Sequence, residues 1–410
     1  MYIPRHIEPV VSRIAKRKPV LVLTGARQVG KSTMLKEVYG NTRRVTLNSP
    51  LVRQNAKESP SLFFEANRPP IVVDEIQKAA ELFDYIKEIV DEEDRRKGLF
   101  YLTGSQSFKL MKNVSESLAG RAGIIKMMGL SVREITGTKY RSPFIPSADE
   151  LEKREAGDAD LSYSDIVSVI HKGSFPELYE TESDLHDWAD YYSSYFQTYI
   201  EKDIRDVLNI QDESAFIKFV KTTASLTGEV LNLTTIAEIC GKDVKTVKSW
   251  LSVLESSGLV YLLEPYYNNL NKRMIKSPKL HFLDSGLACW LLGWNSPEQL
   301  ASGAMWGHIF ESFVLAEVLK SYYNDGITVP PLFYYRDQDK NEVDLVISNG
   351  DFLHPIEIKA TGDPSSSMTR AFHQIDRIPT KRVGTGAVLC LTKKHLPLAE
   401  NVWALPVHLI

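Results

Sequence analysis

The chain has 410 residues, 43% of them hydrophobic and 25% charged, which suits two or three packed domains and argues against a disordered or membrane protein. A formal net charge of −3 excludes a uniformly basic nucleic-acid coat, so any DNA contact has to be local. Cys240, Cys289 and Cys390 stand far apart without CxxC spacing, which argues against a zinc knuckle or disulfide framework and for a reducing cytosol.

The N-terminal segment MYIPRHIEPVVSRIAKRK carries charge throughout and lacks the apolar core of a signal peptide. From Pro19 to about Thr136, the apolar runs VLVLT, RVTLN, IVVDE, LFYLT and IIKMMGL alternate with helical patterns. Runs without polar alternation predict strands of a parallel sheet covered on both faces. Leu82, Ile86, Ile89 and Val90 recur at helical spacing after Ala79. The expected fold is therefore α/β, a three-layer sandwich over residues 1–137.

GARQVGKS at residues 25–32 satisfies GxxxxGK[ST] between a strand and a helix. Gly25 and Gly30 let the backbone of Ala26, Arg27, Gln28 and Val29 curl, so that its amides and the helix N-terminus face an anion. Lys31 can then reach the outer phosphates of ATP, while Ser32, followed by Thr33, can ligate Mg2+. IVVDEIQ offers Asp74 to hold that metal and Glu75 to deprotonate an attacking water. At the end of LFYLTGS, Ser105 is placed to sense the γ-phosphate, and Arg121 of SLAGRAG is a candidate arginine finger, in its own site or a neighbour's.

Residues 138–210 begin with the polar ELEKREAGDAD stretch, expected to be a solvated linker or insertion, and continue as a helical lid containing YYSSYFQTYIEKDIRDV. Residues 211–264 carry a helix-turn-helix pattern with Thr234 as a cap and Gly241 in the turn. Val244, Val247, Leu251 and Leu254 line one face of its second helix, and VYLL forms a wing strand. Lys242, Lys245, Thr246, Lys248 and Ser249 on the opposite side, with Lys272, Arg273, Lys276 and Lys279 further on, form a candidate DNA surface. The longest apolar stretch, around Gly286 to Trp294, is too short to cross a bilayer, so a cytoplasmic protein without membrane contact is expected.

In residues 265–410, the alternation in EVDLVISNGDFLHPIEIKA and a turn at Asn349-Gly350 predict a hairpin pairing Val343 with Ile356 and Glu342 with Glu357. Val343, Leu345, Ile347, Ile356 and Ile358 then share one face, and Glu342, Asp344, Glu357 and Lys359 the other. Asp344 and Glu357 are close enough there to share a second divalent metal, Mg2+ or Mn2+, with Lys359 beside the attacking water or scissile phosphate.

This last arrangement resembles the PD-(D/E)xK nuclease fold, with Asp344, Glu357 and Lys359 as its motif, Glu311 on a preceding helix as a further metal ligand, and Gln374 on a later helix. No Pro precedes Asp344, a departure from the pattern. Across nearly its whole length the chain resembles the bacterial and archaeal AAA-type ATPases with a C-terminal domain of undefined function. LTGARQVGKST, VVDEIQ, LTGSQS, SLAGR, GLSVREI, GSFPE at Gly173 to Glu177, YIEKDIR at Tyr199 to Arg205 and SPKLHFLDSGL at Ser277 to Leu287 carry that likeness. The resemblance implies an AAA+ ATP-binding sandwich with a helical and winged-helix middle. The expected function is ATP hydrolysis with Mg2+, coupled to DNA through the winged helix and nuclease-like domain, in a homo-oligomer. The alternative is a regulatory ATPase switch whose C-terminal domain binds protein or nucleic acid without cutting it.

Overall fold

A computed structural model describes residues 2–410 apart from 106, 158, 160, 181–183, 205–209, 211 and 268–276, and the side chains of 107–109, 112 and 201–203 are also left undescribed. Five strands, β1 (Val20–Thr24), β2 (Arg43–Thr46), β3 (Ile71–Asp74), β4 (Phe100–Gly104) and β5 (Ala122–Lys126), form a parallel sheet in the order β2-β3-β4-β1-β5. Alternate side chains enter two different cores. Val20, Val22, Ile71, Val73, Phe100 and Leu102 pack with the helix Leu82–Glu92, while Leu21, Leu23, Val72 and Tyr101 face the rest of the molecule. That is why these strands read as unbroken apolar runs. The register sets Thr24 beside Gly104 and Thr46 beside Asp74, gathering the carboxyl ends of the strands along one edge.

The polar stretch after Thr138 is exposed at Glu152, Lys153 and Glu155 to Gly157, but it is anchored to the core at two points. Phe144 is fully buried, and Arg154, on the helix Ala148–Glu155, is fully buried although charged. Its guanidinium donates to the carbonyls of Leu409 (2.9 Å), Ile410 (2.6 Å) and Ser142 (2.5 Å), so backbone acceptors replace the water that the sequence alone would assign to it. The helices Tyr163–Lys172 and Leu185–Tyr195 follow, the second running on as a π-helical turn, Phe196–Ile204. Arg205, at the end of YIEKDIR, lies outside the described residues.

The helices Glu213–Ser225, Leu233–Cys240 and Val244–Ser256 pack beside an antiparallel sheet of β6 (Glu229–Val230), β7 (Val260–Leu263) and β8 (Lys279–Phe282), ordered β6-β8-β7. Asn232, not Thr234, caps the middle helix, its side chain accepting the amides of Thr234 and Thr235. Gly241 takes the left-handed turn at φ 64°. Val247, Leu251 and Leu254 are buried as expected, but Val244 is 41% exposed because it sits in the first turn, clear of the packed face. The sheet crosses the 264/265 boundary drawn from the sequence, since β8 finds its hydrogen-bonding partners in β6 and β7. Lys272, Arg273 and Lys276 lie outside the described residues.

The helix Trp306–Asn324 is buried nearly all round and abuts a mixed sheet. Its strands are β9 (Leu332–Arg336), β10 (Glu342–Asn349), β11 (Phe352–Ile358), β12 (Arg382–Val383), β13 (Gly386–Cys390), β14 (Leu396–Ala399) and β15 (Val402–Pro406), in the order β14-β15-β13-β11-β10-β9 with β12 beside β11. The hairpin exists but its register differs from expectation: Leu345, not Val343, pairs with Ile356, and Asn349 pairs with Phe352, leaving Gly350-Asp351 as the turn. Gly350 adopts φ 56°, the geometry such a turn demands at its first position. A bulge between Val343 and Val346 also shifts the phase of β10, so Val343 packs with Val346, Phe372 and Ile375, away from Leu345 and Ile347.

Candidate functional site

The loop between β1 and the helix Lys31–Val38 forms the expected cradle. Gly25 has φ 143°, and a Cβ there would stand 2.0 Å from the carbonyl oxygen of Met127, so the loop's approach to the β5 end requires glycine. Gly30 is left-handed at φ 92°, which turns the chain into the helix. Lys31 is buried, its Nζ donating to the carbonyls of Gly25 (3.0 Å) and Ala26 (2.7 Å). Burial pushes its ammonium down to about 8, with Glu75 and Asp74 acting the other way. The Ser32 hydroxyl donates to Asp74 Oδ1 at 2.5 Å, and Thr103 Oγ1 donates to the same oxygen. Oxygen ligands and a buried cation facing a helix N-terminus fit a metal-bound triphosphate.

Glu75 sits at φ 58° and lines the cleft. Its Oε2 accepts from Gln77 Nε2 (2.5 Å) and Ser105 Oγ (3.0 Å), so the structure brings Ser105 to Glu75. Arg121 is not brought to the cleft: its guanidinium grips Asp91 through Nη2 (2.6 Å) and Nε (2.8 Å) on the outside of the sheet. Around the loop lies a cleft of about 450 Å³ lined by Gln28, Lys31, Ser32, Thr33 and Glu75, and by residues that sequence reasoning missed: Tyr2, Ile3, Arg5, Pro176, Glu177 and Glu180. Arg5 ties this wall together, donating to the carbonyls of Val29, Met128 and Gly129 and pairing with Glu134 at 3.1 Å.

The motifs GSFPE and SPKLHFLDSGL meet at Asp284. Its buried carboxylate accepts from the amide and hydroxyl of Ser174, the hydroxyl of Tyr192 and the amide of Leu287, all at 2.7 Å. Next to it, the turn after the helix Val244–Ser256 touches the phosphate loop, with Gly258 and Leu259 bordering a small cavity shared with Ala26, Val29 and Asp284. On the other side of the loop, Gln28 Oε1 accepts from Tyr191 (2.9 Å), and Arg27 stands 5.9 Å from the ring centre of Tyr199.

In the C-terminal part, Glu311, Glu342, Asp344 and Glu357 do come together, but around lysines. Lys279 Nζ lies 2.9 Å from Glu311 Oε1, 2.6 Å from Glu342 Oε1 and 3.8 Å from Asp344 Oδ1. Lys359 Nζ lies 2.6 Å from Glu357 Oε1 and 3.2 Å from Asp344 Oδ2. Burial works against charge on both lysines, yet the surrounding carboxylates outweigh it and raise them. Burial and Asp344 push Glu311 up to about 7 and Glu357 up to about 8. Among the described residues, no group of three or more His, Cys, Asp or Glu side chains is arranged to hold a metal ion, and the carboxylates expected to share a second metal are paired here with Lys279 and Lys359. Gln374 is buried and contacts the neighbouring His373 at 3.0 Å.

The parallel sheet and the glycine loop at its edge have the architecture of a P-loop nucleotide-binding domain. Residues 17–136 match the AAA domain family, residues 163–298 a domain of unknown function (DUF8612), and residues 306–410 another (DUF4143). Two curated relatives, Uncharacterized protein Rv2008c of Mycobacterium tuberculosis and Uncharacterized protein Mb2031c of Mycobacterium bovis, are each 27% identical over 397 residues, covering 96% of this chain and 81% of the relative. Among solved structures, the Walker-type ATPase paby2304 of Pyrococcus abyssi matches at 12% identity and TM-score 0.41, covering 69% of this chain and 94% of that one. The RuvB Holliday junction branch migration motor of Thermotoga maritima matches at 17% identity and TM-score 0.30, covering 62% of this chain and 87% of that one. Among the described residues, no helix is long and apolar enough to cross a membrane.

Proposed function

We propose that the chain hydrolyses ATP and passes its nucleotide state to a DNA-binding winged helix built on the helices Glu213–Ser225, Leu233–Cys240 and Val244–Ser256 and on β6, β7 and β8. Lys31 would neutralise the outer phosphates, and Ser32 and Asp74 would hold Mg2+. Glu75, steadied by Gln77 and Ser105, takes a proton from the water that attacks the γ-phosphorus as ADP departs. Mg2+, when bound, offsets the phosphate charge. Arg121 would act in trans, since its own cleft lies elsewhere.

One observation carries the coupling: Gly258 and Leu259, directly after the helix Val244–Ser256, share a cavity with Ala26 and Val29 of the phosphate loop. A loop that rearranges around phosphate pushes on that turn. Lys245, Lys248 and Ser249 are exposed on the same helix and suit phosphate contact. In a fluorescence-anisotropy titration of duplex DNA, ATP is expected to change affinity for the wild type and for Glu75→Gln, which retains ATP, but not for Lys31→Ala. Equal DNA affinity in all three, with and without ATP, refutes the coupling.

For the C-terminal part, the second reading, recognition without cleavage, is favoured by Lys279 standing among the carboxylates. Metal-dependent cleavage by Asp344, Glu357 and Lys359 would require that lysine to leave. Plasmid incubated with Mg2+ or Mn2+ should stay intact; cutting abolished by Asp344→Ala would restore the nuclease reading.

A further inference from the structure

Lys279 is only 2% exposed and is fixed at the start of β8, where it pairs with Val230 of β6 and Leu263 of β7. Its ammonium reaches three carboxylates carried by two different elements, Glu311 on the helix Trp306–Asn324 and Glu342 and Asp344 on β10. Oxygens converging from separate elements on a single cation are what a hard divalent ion requires. Here the cation is supplied by a strand of the neighbouring three-stranded sheet. The far side of the cluster is still incompletely satisfied: Glu357 is buried, and its Oε2 has no hydrogen-bond partner.

We infer that the Lys279 ammonium is the resident cation of this cluster and keeps divalent metal out of it. An ammonium and a divalent ion cannot share one position, and the ammonium is tethered, so it competes at a high effective concentration. Without Lys279, the carboxylates face one another with only Lys359 and Arg336 nearby, a net excess of negative charge that a divalent cation would relieve. This holds whether or not the chain binds DNA, so failure of the DNA reading leaves it standing.

The test is Mn2+ binding to the full-length, nucleotide-free protein, followed by electron paramagnetic resonance of free Mn2+. Comparison with Asp344→Asn separates this cluster from the phosphate-loop site. Lys279→Met should gain one Mn2+ site that Asp344→Asn removes in the double variant, at least about ten-fold tighter than anything Asp344-dependent in the wild type. A folded Lys279→Met protein without such a site overturns the inference. If that variant does not fold, the wild type still decides: Mn2+ binding that Asp344→Asn abolishes shows metal entering despite Lys279 and overturns it, whereas identical binding in the two proteins supports it.

Discussion

Lys31 is asked to be both buried and charged. Its folded-state value is lowered to about 8, against an ordinary 10.5. Between those values the unfolded chain holds more protons than the folded one, so this group's contribution to stability rises with pH across that window and is a cost below it. Nucleotide affinity should run the opposite way, because phosphate needs the ammonium. Calorimetric titration of an ATP analogue is expected to show affinity falling about ten-fold between pH about 7 and about 9, and Lys31→Met should flatten that dependence. A steady wild-type affinity would show that the lysine stays charged throughout. Lys31, Ser32, Asp74 and Glu75 were legible in the sequence because each lies in a contiguous motif whose spacing follows from the chemistry. Tyr2 and Arg5 were not, since they reach the cleft only through tertiary packing and carry no local pattern that marks them; Pro176 stood in the GSFPE motif, but nothing local tied that motif to the cleft.

At the scale of elements, the parallel strands were readable because burial on both faces leaves an unbroken apolar run. The C-terminal hairpin was half readable. Its alternation marked two strands, but a turn at Gly350-Asp351 and a bulge between Val343 and Val346 moved the register and the phase, and neither leaves a clear trace in composition. Asp284 gives the SPKLHFLDSGL motif a structural role. It caps the helix Ser285–Leu292 and binds Ser174 and Tyr192, joining residues 110 and 92 positions away in the chain. Asp284→Ala would leave those donors buried and unpaired, so urea denaturation should register a loss of about 3 kcal/mol or more. A change under about 0.5 kcal/mol would mean that water replaces the carboxylate without penalty.

For the whole molecule, the three regions matched by separate families share one hydrophobic core that runs from Ile7 to Ile410. Glu317 accepts the amide of Val132 at 2.9 Å, and Lys320 donates to the carbonyl of Leu130 at 2.8 Å, so the helix Trp306–Asn324 is bolted to the ATPase part by polar as well as apolar contacts. Residues 17–136 expressed alone should therefore expose the sheet face built on Leu21, Leu23 and Val72 and bind the dye ANS, whereas the full chain should not. A fragment that stays monomeric without binding dye would show that this face does not need its cover. β8 has Lys279 at its start and Phe282 at its end, about 10 Å away at strand rise, and the chain reaches Asp284 two residues later. A paired strand does not compress. It ties Asp284, which borders the small cavity beside the phosphate loop, to the lysine held in the acidic cluster, so two distant sites hang on one stiff element.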